Sequence, residues 1–86
     1  MKYILFVRED CPYCVKAESL LKQIGAEYKI VNFTKQQSSL LQEVKDAYDW
    51  QTVPMIFERD GNIVNFIGGF TDLIKYLNEK SGLSWP

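Results

Sequence analysis

The apolar residues of the first three segments follow the patterns of a strand, a helix and a second strand. This order limits the folds that the chain can adopt. Residues 2–7 form a short, mostly apolar run of aromatic and branched side chains, which predicts a buried strand. Residues 12–24 carry apolar side chains at helical spacing, and Gly25, a common helix terminator, follows them. Residues 27–30 alternate between polar and apolar side chains, which predicts a second strand that runs to about Phe33. This order indicates a parallel, right-handed β-α-β unit.

The middle of the chain predicts a second helix and a hairpin. Thr34 and Gln37 have the spacing of a capping box. Residues 55–58 and 62–67 flank the dipeptide at 60–61, Asp-Gly, which is a strong signal for a hairpin turn. Apolar side chains at helical spacing follow the capping box: Leu40, Leu41, Val44, Ala47 and Tyr48.

The end of the chain completes one small α/β domain. Thr71 is predicted to cap a last helix that ends near Gly82. The element order is therefore β-α-β-α-β-β-α, with a small mixed sheet covered by helices. We expect residues 1–86 to form a single domain, since 86 residues with 47% hydrophobic side chains suffice for one compact core.

Charge and hydropathy exclude several classes of function. Ten basic and eleven acidic residues are spread along the chain, so no basic block predicts binding to nucleic acid. The longest apolar run, residues 3–7, is far too short to span a membrane, and it does not have the organisation of a signal peptide. We therefore expect a cytoplasmic protein, in a reducing compartment where lasting structural disulfides are rare.

Two cysteines, Cys11 and Cys14, are the only thiols of the chain. A structural bridge between them would close a very small loop and would restrict the unfolded chain little. A closed zinc site needs four ligands, usually Cys or His, and this chain has no His. The spacing therefore favours a redox-active pair, while a metal or cluster site shared by two chains, or an inert pair, remains possible.

The position of Cys11 suggests that it is the nucleophile of the pair. It directly precedes Pro12, a residue suited to the first position of a helix, so Cys11 is predicted to be the N-cap. There its sulfur can accept the free backbone N–H groups of Tyr13 and Cys14. These donors and the positive helix end favour the thiolate and lower the pKa from about 8.5 toward neutrality. Cys14, one turn deeper, suits the resolving role.

Three motifs in this order resemble the dithiol glutaredoxins of the thioredoxin superfamily: "CPYC" after a strand, "TVPMIF" before a hairpin and "GGFTDL" at the last helix. The resemblance implies a thioredoxin-like fold with a four-stranded mixed sheet. It also implies glutathione as cosubstrate, regenerated by NADPH and glutathione reductase, with no metal. The implied partners are glutathione and disulfide-containing or glutathionylated proteins, ribonucleotide reductase being a familiar client. The implied state is a monomer that binds neither nucleic acid nor membranes.

The resemblance also implies a set of binding residues. Thr52-Val53-Pro54 is similar to the family's cis-proline loop, whose outward backbone groups can pair with an extended substrate. Gly68 and Gly69 allow an unusual backbone path, and the N–H groups of the helix start can receive the γ-glutamyl carboxylate of glutathione. Asp72 can accept from the glutathione ammonium group. The implied glutathione and substrate residues are Arg8, Tyr13, Thr52, Val53, Pro54, Gly69, Phe70, Thr71 and Asp72.

Some positions depart from the family pattern or stay open. Arg8 stands where the family often has Lys, and its guanidinium group could bind the glycyl carboxylate of glutathione. Gln42 is a further candidate for binding that carboxylate. Glu9 and Asp10 precede the nucleophile and, as like charges, disfavour its thiolate. Two alternative functions are a thioredoxin-like donor reduced directly by a flavoprotein reductase and an iron–sulfur carrier in which two chains and two glutathiones hold one cluster. Pro12 argues mildly against the carrier.

Overall fold

The computed structural model describes residues 2–81, without the side chain of Ser81. It confirms the predicted order β-α-β-α-β-β-α, while the predicted helix end near Gly82 lies outside the described residues. No helix within residues 2–81 is both long enough and apolar enough to cross a membrane. The elements are β1 Lys2–Arg8, α1 Pro12–Gln23, β2 Glu27–Phe33, a 3₁₀ turn Lys35–Gln37, α2 Ser38–Ala47, β3 Met55–Asp60, β4 Ile63–Gly68 and α3 Phe70–Ser81.

The four strands form one mixed sheet in the order β2-β1-β3-β4. β1 pairs in parallel with β2 and antiparallel with β3, and β3 pairs antiparallel with β4. A bulge interrupts the last pairing between Ile56 and Phe57. Because β1 lies between two strands and is covered on both faces, it is apolar at nearly every position, as a strand buried on both faces requires.

Two apolar cores lie on opposite faces of the sheet, so the molecule has three layers. Helices α1 and α3 cover one face and α2 covers the other. The core under α1 and α3 contains Tyr3, Leu5, Val7, Cys14, Ala17, Leu21, Ile56, Leu73 and Leu77. The core under α2 contains Phe33, Leu41, Met55 and Phe57, with Phe6, Trp50 and Phe66 packed against it.

Helix α1 ends as its sequence predicts. Gly25 follows the C-cap residue Ile24 and has φ +72, the left-handed conformation that glycine adopts at low cost. Its N–H donates to the carbonyl of Lys22 at 3.1 Å. The predicted capping box is also present, because the N–H of Thr34 donates to the side-chain oxygen of Gln37 at 3.0 Å, but it precedes the 3₁₀ turn rather than α2 itself.

The hairpin turn lies one residue later than predicted. Asp60 is the last residue of β3 and pairs with Ile63, so the two turn residues are Gly61 and Asn62. Gly61 has φ +62, and glycine is the residue of the Asp-Gly pair that adopts this conformation without strain. The antiparallel hairpin itself was predicted correctly.

Three side chains of the predicted apolar stripe of α2 are not core residues. Leu40 is 50% exposed, Tyr48 is 46% exposed and Ala47 is also exposed, whereas Leu41 is buried against the sheet. Successive side chains of a helix point in different directions, so Leu40 does not share the buried position of its neighbour Leu41. Tyr48 follows the end of the helix, and its ring packs against Phe57 and Phe66 at centroid distances of 5.2 and 5.1 Å.

Candidate functional site

The two cysteines lie where β1 passes into α1. β1 ends at Arg8, and a tight turn follows in which Asp10 has φ 58, a left-handed conformation that Asp tolerates better than most residues. Cys11 is the N-cap residue with an extended backbone, and Pro12 is the first residue of the helix. The predicted placement of Cys11 is therefore confirmed.

Cys11 and Cys14 are joined by a disulfide bond. The backbone N–H of Cys14 donates to Cys11 Sγ at 3.1 Å; of the two donors predicted, Tyr13 and Cys14, the structure shows Cys14 in this role. Cys14 is only 6% exposed within the core under α1, whereas Cys11 is partly open to solvent. The arrangement presents one sulfur to incoming molecules and keeps the other behind it.

The loop before β3 faces this pair. The Val53–Pro54 peptide bond is cis, as the resemblance implied. The carbonyl oxygen of Val53 lies 3.8 Å from Cys11 Sγ, and Pro54 is buried while Thr52 is exposed. The loop therefore brings backbone polar groups next to the partly exposed sulfur, although Cys11 and Val53 are separated by 42 positions in the sequence.

The start of α3 differs from its predicted form. The helix begins at Phe70, and Gly69 precedes it, with its carbonyl accepting the N–H of Leu73 at 2.9 Å. The predicted cap, Thr71, is inside the first turn. Asp72 supplies the side-chain contact instead, because its Oδ2 accepts the N–H of Gly69 at 2.9 Å. A carboxylate two positions into the helix thus satisfies a backbone donor just before it.

Gly68 is the glycine that this arrangement requires. Its φ is +127, which side chains of L-residues rarely adopt, and a Cβ atom there would lie 2.6 Å from Asp72 Oδ2. A Cβ at Gly69 would have ordinary contacts of 3.8 Å. Of the two glycines, only Gly68 is required to be glycine. The space beside its backbone is occupied by the Asp72 carboxylate.

A groove of about 280 Å³ joins the proline loop and the start of α3. The ring of Tyr13, from α1, lies 6.2 Å from the ring of Phe70 at one side of the groove. Eight of the predicted site residues line this groove, with one that sequence reasoning missed, Trp50: Tyr13, Trp50, Thr52, Val53, Pro54, Gly69, Phe70, Thr71 and Asp72.

Trp50 closes the floor of the groove. Its ring packs edge-on against Phe66 at 5.2 Å and approaches the position of a Cβ at Gly69 at 3.8 Å. The only sequence signal was an aromatic residue two positions before Thr52. That signal does not separate a core residue from a groove residue, and Trp50 is both.

Arg8 lies outside this groove, in a second concavity of about 220 Å³ that it shares with Glu9, Asp10, Phe33 and Lys35. Lys35 is a second cation there that sequence reasoning missed. Arg8, Glu9 and Asp10 are all exposed.

The further candidate Gln42 takes part in α2 instead. Its side-chain amide donates to Asp46 at 2.9 Å, one helical turn later, and it lines neither concavity.

An ion pair with a buried carboxylate lies at the opposite end of the sheet. Glu58 is 4% exposed and accepts from Lys80 Nζ at 2.9 Å. Burial alone would raise the pKa of Glu58, but hydrogen bonds from Tyr76 and Lys80 outweigh it and hold the pKa below its usual value. Glu58 pairs with Tyr3 at the start of β1, and Cys11 follows the end of β1, so this cluster anchors α3 rather than serving the cysteines.

No group of three or more His, Cys, Asp or Glu side chains suited to a metal ion is found within residues 2–81. The cysteine pair could contribute two sulfur ligands at most. The chemistry that the site itself offers is that of a reversible disulfide beside an open groove.

Comparison with known proteins supports this description. The glutaredoxin family model matches residues 3–64. Glutaredoxin 1 of Escherichia coli is 33% identical over 90 residues, which cover 93% of this chain and 96% of that protein. A glutaredoxin of Ricinus communis is 38% identical over 56 residues, which cover 63% of this chain and 55% of that protein. The chain thus spans about half the length of the plant relatives that it matches.

Solved structures share the fold. Glutaredoxin 1 from Francisella tularensis superimposes with a TM-score of 0.70 at 26% identity and covers 93% of this chain and 94% of its own. The glutaredoxin–glutathione complex from buckwheat superimposes with a TM-score of 0.73 at 21% identity, covering 93% of this chain and 69% of its own. The family match over most of the chain, the mixed four-stranded sheet and the Cys11–Cys14 pair agree, and this chain belongs to the glutaredoxin family.

Proposed function

We propose that this chain is a thiol–disulfide oxidoreductase that takes its electrons from glutathione. One observation carries the proposal: the Cys11–Cys14 disulfide lies at the start of α1 with Cys11 partly exposed and Cys14 buried. The N–H of Cys14, 3.1 Å from Cys11 Sγ, would equally stabilise negative charge on that sulfur once the disulfide is reduced. Thiolate is the attacking species in disulfide exchange, so this favours Cys11 as the nucleophile.

The proposed exchange has two successive steps for a glutathionylated substrate. The Cys11 thiolate attacks one sulfur of a protein–glutathione mixed disulfide, a new S–S bond forms to glutathione, and the protein leaves as a thiolate that takes up a proton. A second glutathione, as thiolate, then releases the first from Cys11 as oxidised glutathione. For a disulfide within a protein, the Cys11 thiolate attacks one of its sulfurs and forms a mixed disulfide with the protein, and the other protein sulfur leaves as a thiolate that takes up a proton. The Cys14 thiolate then attacks this mixed disulfide, forms the Cys11–Cys14 disulfide and releases the reduced protein. The Cys11–Cys14 disulfide that results is reduced by two glutathiones.

The groove offers groups that match the parts of glutathione. Free N–H groups at the start of α3 suit the γ-glutamyl carboxylate. Asp72 uses Oδ2 for Gly69, and its Oδ1 can accept from the ammonium group. The backbone of Val53, beside Cys11, can pair with the cysteinyl residue in the manner of an added strand. The buckwheat relative with this fold was solved with glutathione, which is consistent with the proposal.

The proposal also includes the source of the electrons and the class of substrate. Oxidised glutathione would be recycled by NADPH and glutathione reductase in the cytoplasm. The substrates would be glutathionylated or disulfide-containing proteins, including enzymes such as ribonucleotide reductase that need a dithiol donor.

A coupled assay tests the proposal. The chain is mixed with a small glutathione mixed disulfide, glutathione, glutathione reductase and NADPH, and NADPH oxidation is followed. We expect turnover that requires both the chain and glutathione. A parallel reaction replaces glutathione and its reductase with a flavoprotein thioredoxin reductase. Turnover in that reaction alone would show that the electron donor is the flavoprotein and that the glutathione proposal is wrong.

A further inference from the structure

The free edge of the sheet at β4 has an unusual composition. β4 is an edge strand among the described residues, and its sequence, Ile63–Gly68, contains neither a charged residue nor proline. The opposite edge, β2, carries Glu27 and Lys29. Charges and prolines are the usual means by which edge strands avoid pairing with other chains. β2 is thus protected in this way and β4 is not.

Three exposed apolar side chains lie along the same edge. Ile63 is 64% exposed and Val64 is 50% exposed. Tyr48, which is 46% exposed, contacts Phe66 on the sheet face that also carries Val64. Ile63 and Val64 are neighbours in the strand and point to opposite faces, so a strand added to β4 would meet apolar side chains on both faces of the sheet.

The order of side chains in β4 is symmetric about Asn65. The residues on either side read Ile-Val and Phe-Ile. A second β4 strand, paired antiparallel about a two-fold axis at Asn65, would place Val64 opposite Phe66 and Ile63 opposite Ile67. Each apolar side chain then meets an apolar side chain, and the two Asn65 amides meet each other. Opposed residues share a face of the sheet, so the helices of both copies stay on matching sides.

The charges of α3 fit the same two-fold axis. Tyr76 and Lys80 both reach Glu58, the pairing partner of Asn65, so the level of Asn65 along α3 falls between Lys75 and Glu79. Lys75 and Glu79 both line the cavity between α3 and β4. A two-fold axis at Asn65 exchanges the two levels and sets Lys75 of one copy opposite Glu79 of the other. The edge is therefore complementary to itself in charge as well as in the order of its apolar side chains.

We propose that β4 is a homodimerisation edge, where two copies of this chain join antiparallel about Asn65 into one eight-stranded sheet. The bulge in β4, where Ile67 has no pairing partner in β3, limits the regular part of the contact to a few residue pairs, so the dimer is weak and forms at high protein concentration. This inference differs from the monomer expected from the resemblance. It does not depend on the proposed exchange activity, because the edge does not include the cysteines.

Sedimentation velocity over a series of concentrations, under reducing conditions, tests the proposal with a matched pair of variants. We expect the weight-average mass of the unmodified chain to rise from that of one chain toward that of two. Asn65→Lys sets two like charges opposite each other and should raise the dissociation constant about tenfold or more. Asn32→Lys makes the same change at an exposed position of β2 and should leave the dissociation constant unchanged. A chain that stays monomeric throughout, or equal dimerisation by both variants, would overturn the proposal.

Two further pairs of variants test the register. Lys75→Glu should weaken the dimer about two- to fivefold, and adding Glu79→Lys should restore it, because the pair is then reversed on both copies.

In a chain with Cys11→Ser and Cys14→Ser, Asn65→Cys should form a cross-linked dimer on mild oxidation, and Asn32→Cys should not. Association that leaves Asn65→Cys uncross-linked would show that another surface accounts for it, and the β4 register would be wrong.

Discussion

Asp72 Oδ2 accepts the backbone N–H of Gly69 at 2.9 Å, so one carboxylate both organises the start of α3 and lines the groove. Two substitutions separate these roles. Asp72→Asn keeps an acceptor oxygen for Gly69 but removes the charge, and Asp72→Lys reverses the charge. We expect both to fold, and Asp72→Lys to lower the apparent glutathione affinity about tenfold or more, because a charge-assisted contact is worth about 1.5–3 kcal/mol.

The measurement is the dependence of turnover on glutathione concentration, with thermal unfolding of each variant as the control. We expect Asp72→Asn to have an intermediate affinity and a stability close to that of the unmodified chain. If Asp72→Lys folds and has an unchanged apparent affinity, the γ-glutamyl group does not bind beside Asp72.

Gly68 and Gly69 should respond very differently to the same substitution. Gly68→Ala adds a Cβ atom in a backbone conformation of φ +127 and against Asp72, so we expect a loss of about 1–3 kcal/mol in the free energy of unfolding. Gly69→Ala meets only ordinary contacts and should change the stability little. Urea unfolding of both variants measures the difference. Equal stabilities would mean that the backbone at Gly68 relaxes at no cost.

The sequence predicted those parts of the fold that are specified by local chemistry. Pro12 and Gly25 bound α1, and Cys11 caps it, because these residues fix backbone conformation or satisfy backbone groups within a few positions. The start of α3 was predicted wrongly because both Thr71 and Asp72 are suitable partners for an unpaired N–H. Which of them reaches it depends on the path of Gly68, and the sequence does not define that path.

Groove residues contributed by distant segments were harder to predict. Trp50 reads equally well as core and as site, and it lies on the groove only because the loop before β3 meets the start of α3. Lys35 joins Arg8 only because the segment after β2 returns beside the turn after β1. These relationships depend on strand order, which the periodicity of a single segment does not contain.

The Glu58–Lys80 pair should make stability dependent on pH at both extremes. The pKa of Glu58 is lowered, so its stabilising effect is complete above its ordinary value of 4.5 and is lost as the pH falls through the lowered value. The hydrogen bond to Glu58 raises the pKa of Lys80 against the opposing effect of burial. Its contribution is complete below 10.5 and is lost as the pH rises through the raised value.

Glu58→Gln is the variant that tests this account. We expect it to lower the free energy of unfolding at neutral pH by about 1–3 kcal/mol and to flatten the decline in acid. Glu43→Gln, at an exposed position of α2, is the matched control and should do neither. Denaturant unfolding between acid and neutral pH gives both quantities. Parallel pH profiles for Glu58→Gln and the unmodified chain would contradict the assignment.

Glu9 and Asp10 should disfavour the thiolate form of Cys11. Like charges near a thiolate raise its pKa, and both acids precede the nucleophile in an exposed turn. Replacing Glu9 with Ser and Asp10 with Thr should therefore lower the pKa of Cys11, by about one unit at most, and less in high salt. The ultraviolet absorbance of the thiolate, titrated with Cys14 replaced by Ser, reports this value. An unchanged midpoint at low salt would show that both acids point away from the sulfur.

The most direct test of the central claim is which cysteine forms the bond to glutathione. Intact-mass spectrometry of Cys14→Ser and Cys11→Ser, each incubated briefly with oxidised glutathione, measures it. Since Cys11 is partly exposed and Cys14 is buried, we expect Cys14→Ser to gain one glutathione rapidly and Cys11→Ser to gain little. Cys14→Ser should also keep reducing glutathionylated substrates, whereas Cys11→Ser should be inactive. Equal modification and equal activity of the two variants would contradict the assignment of Cys11 as the nucleophile.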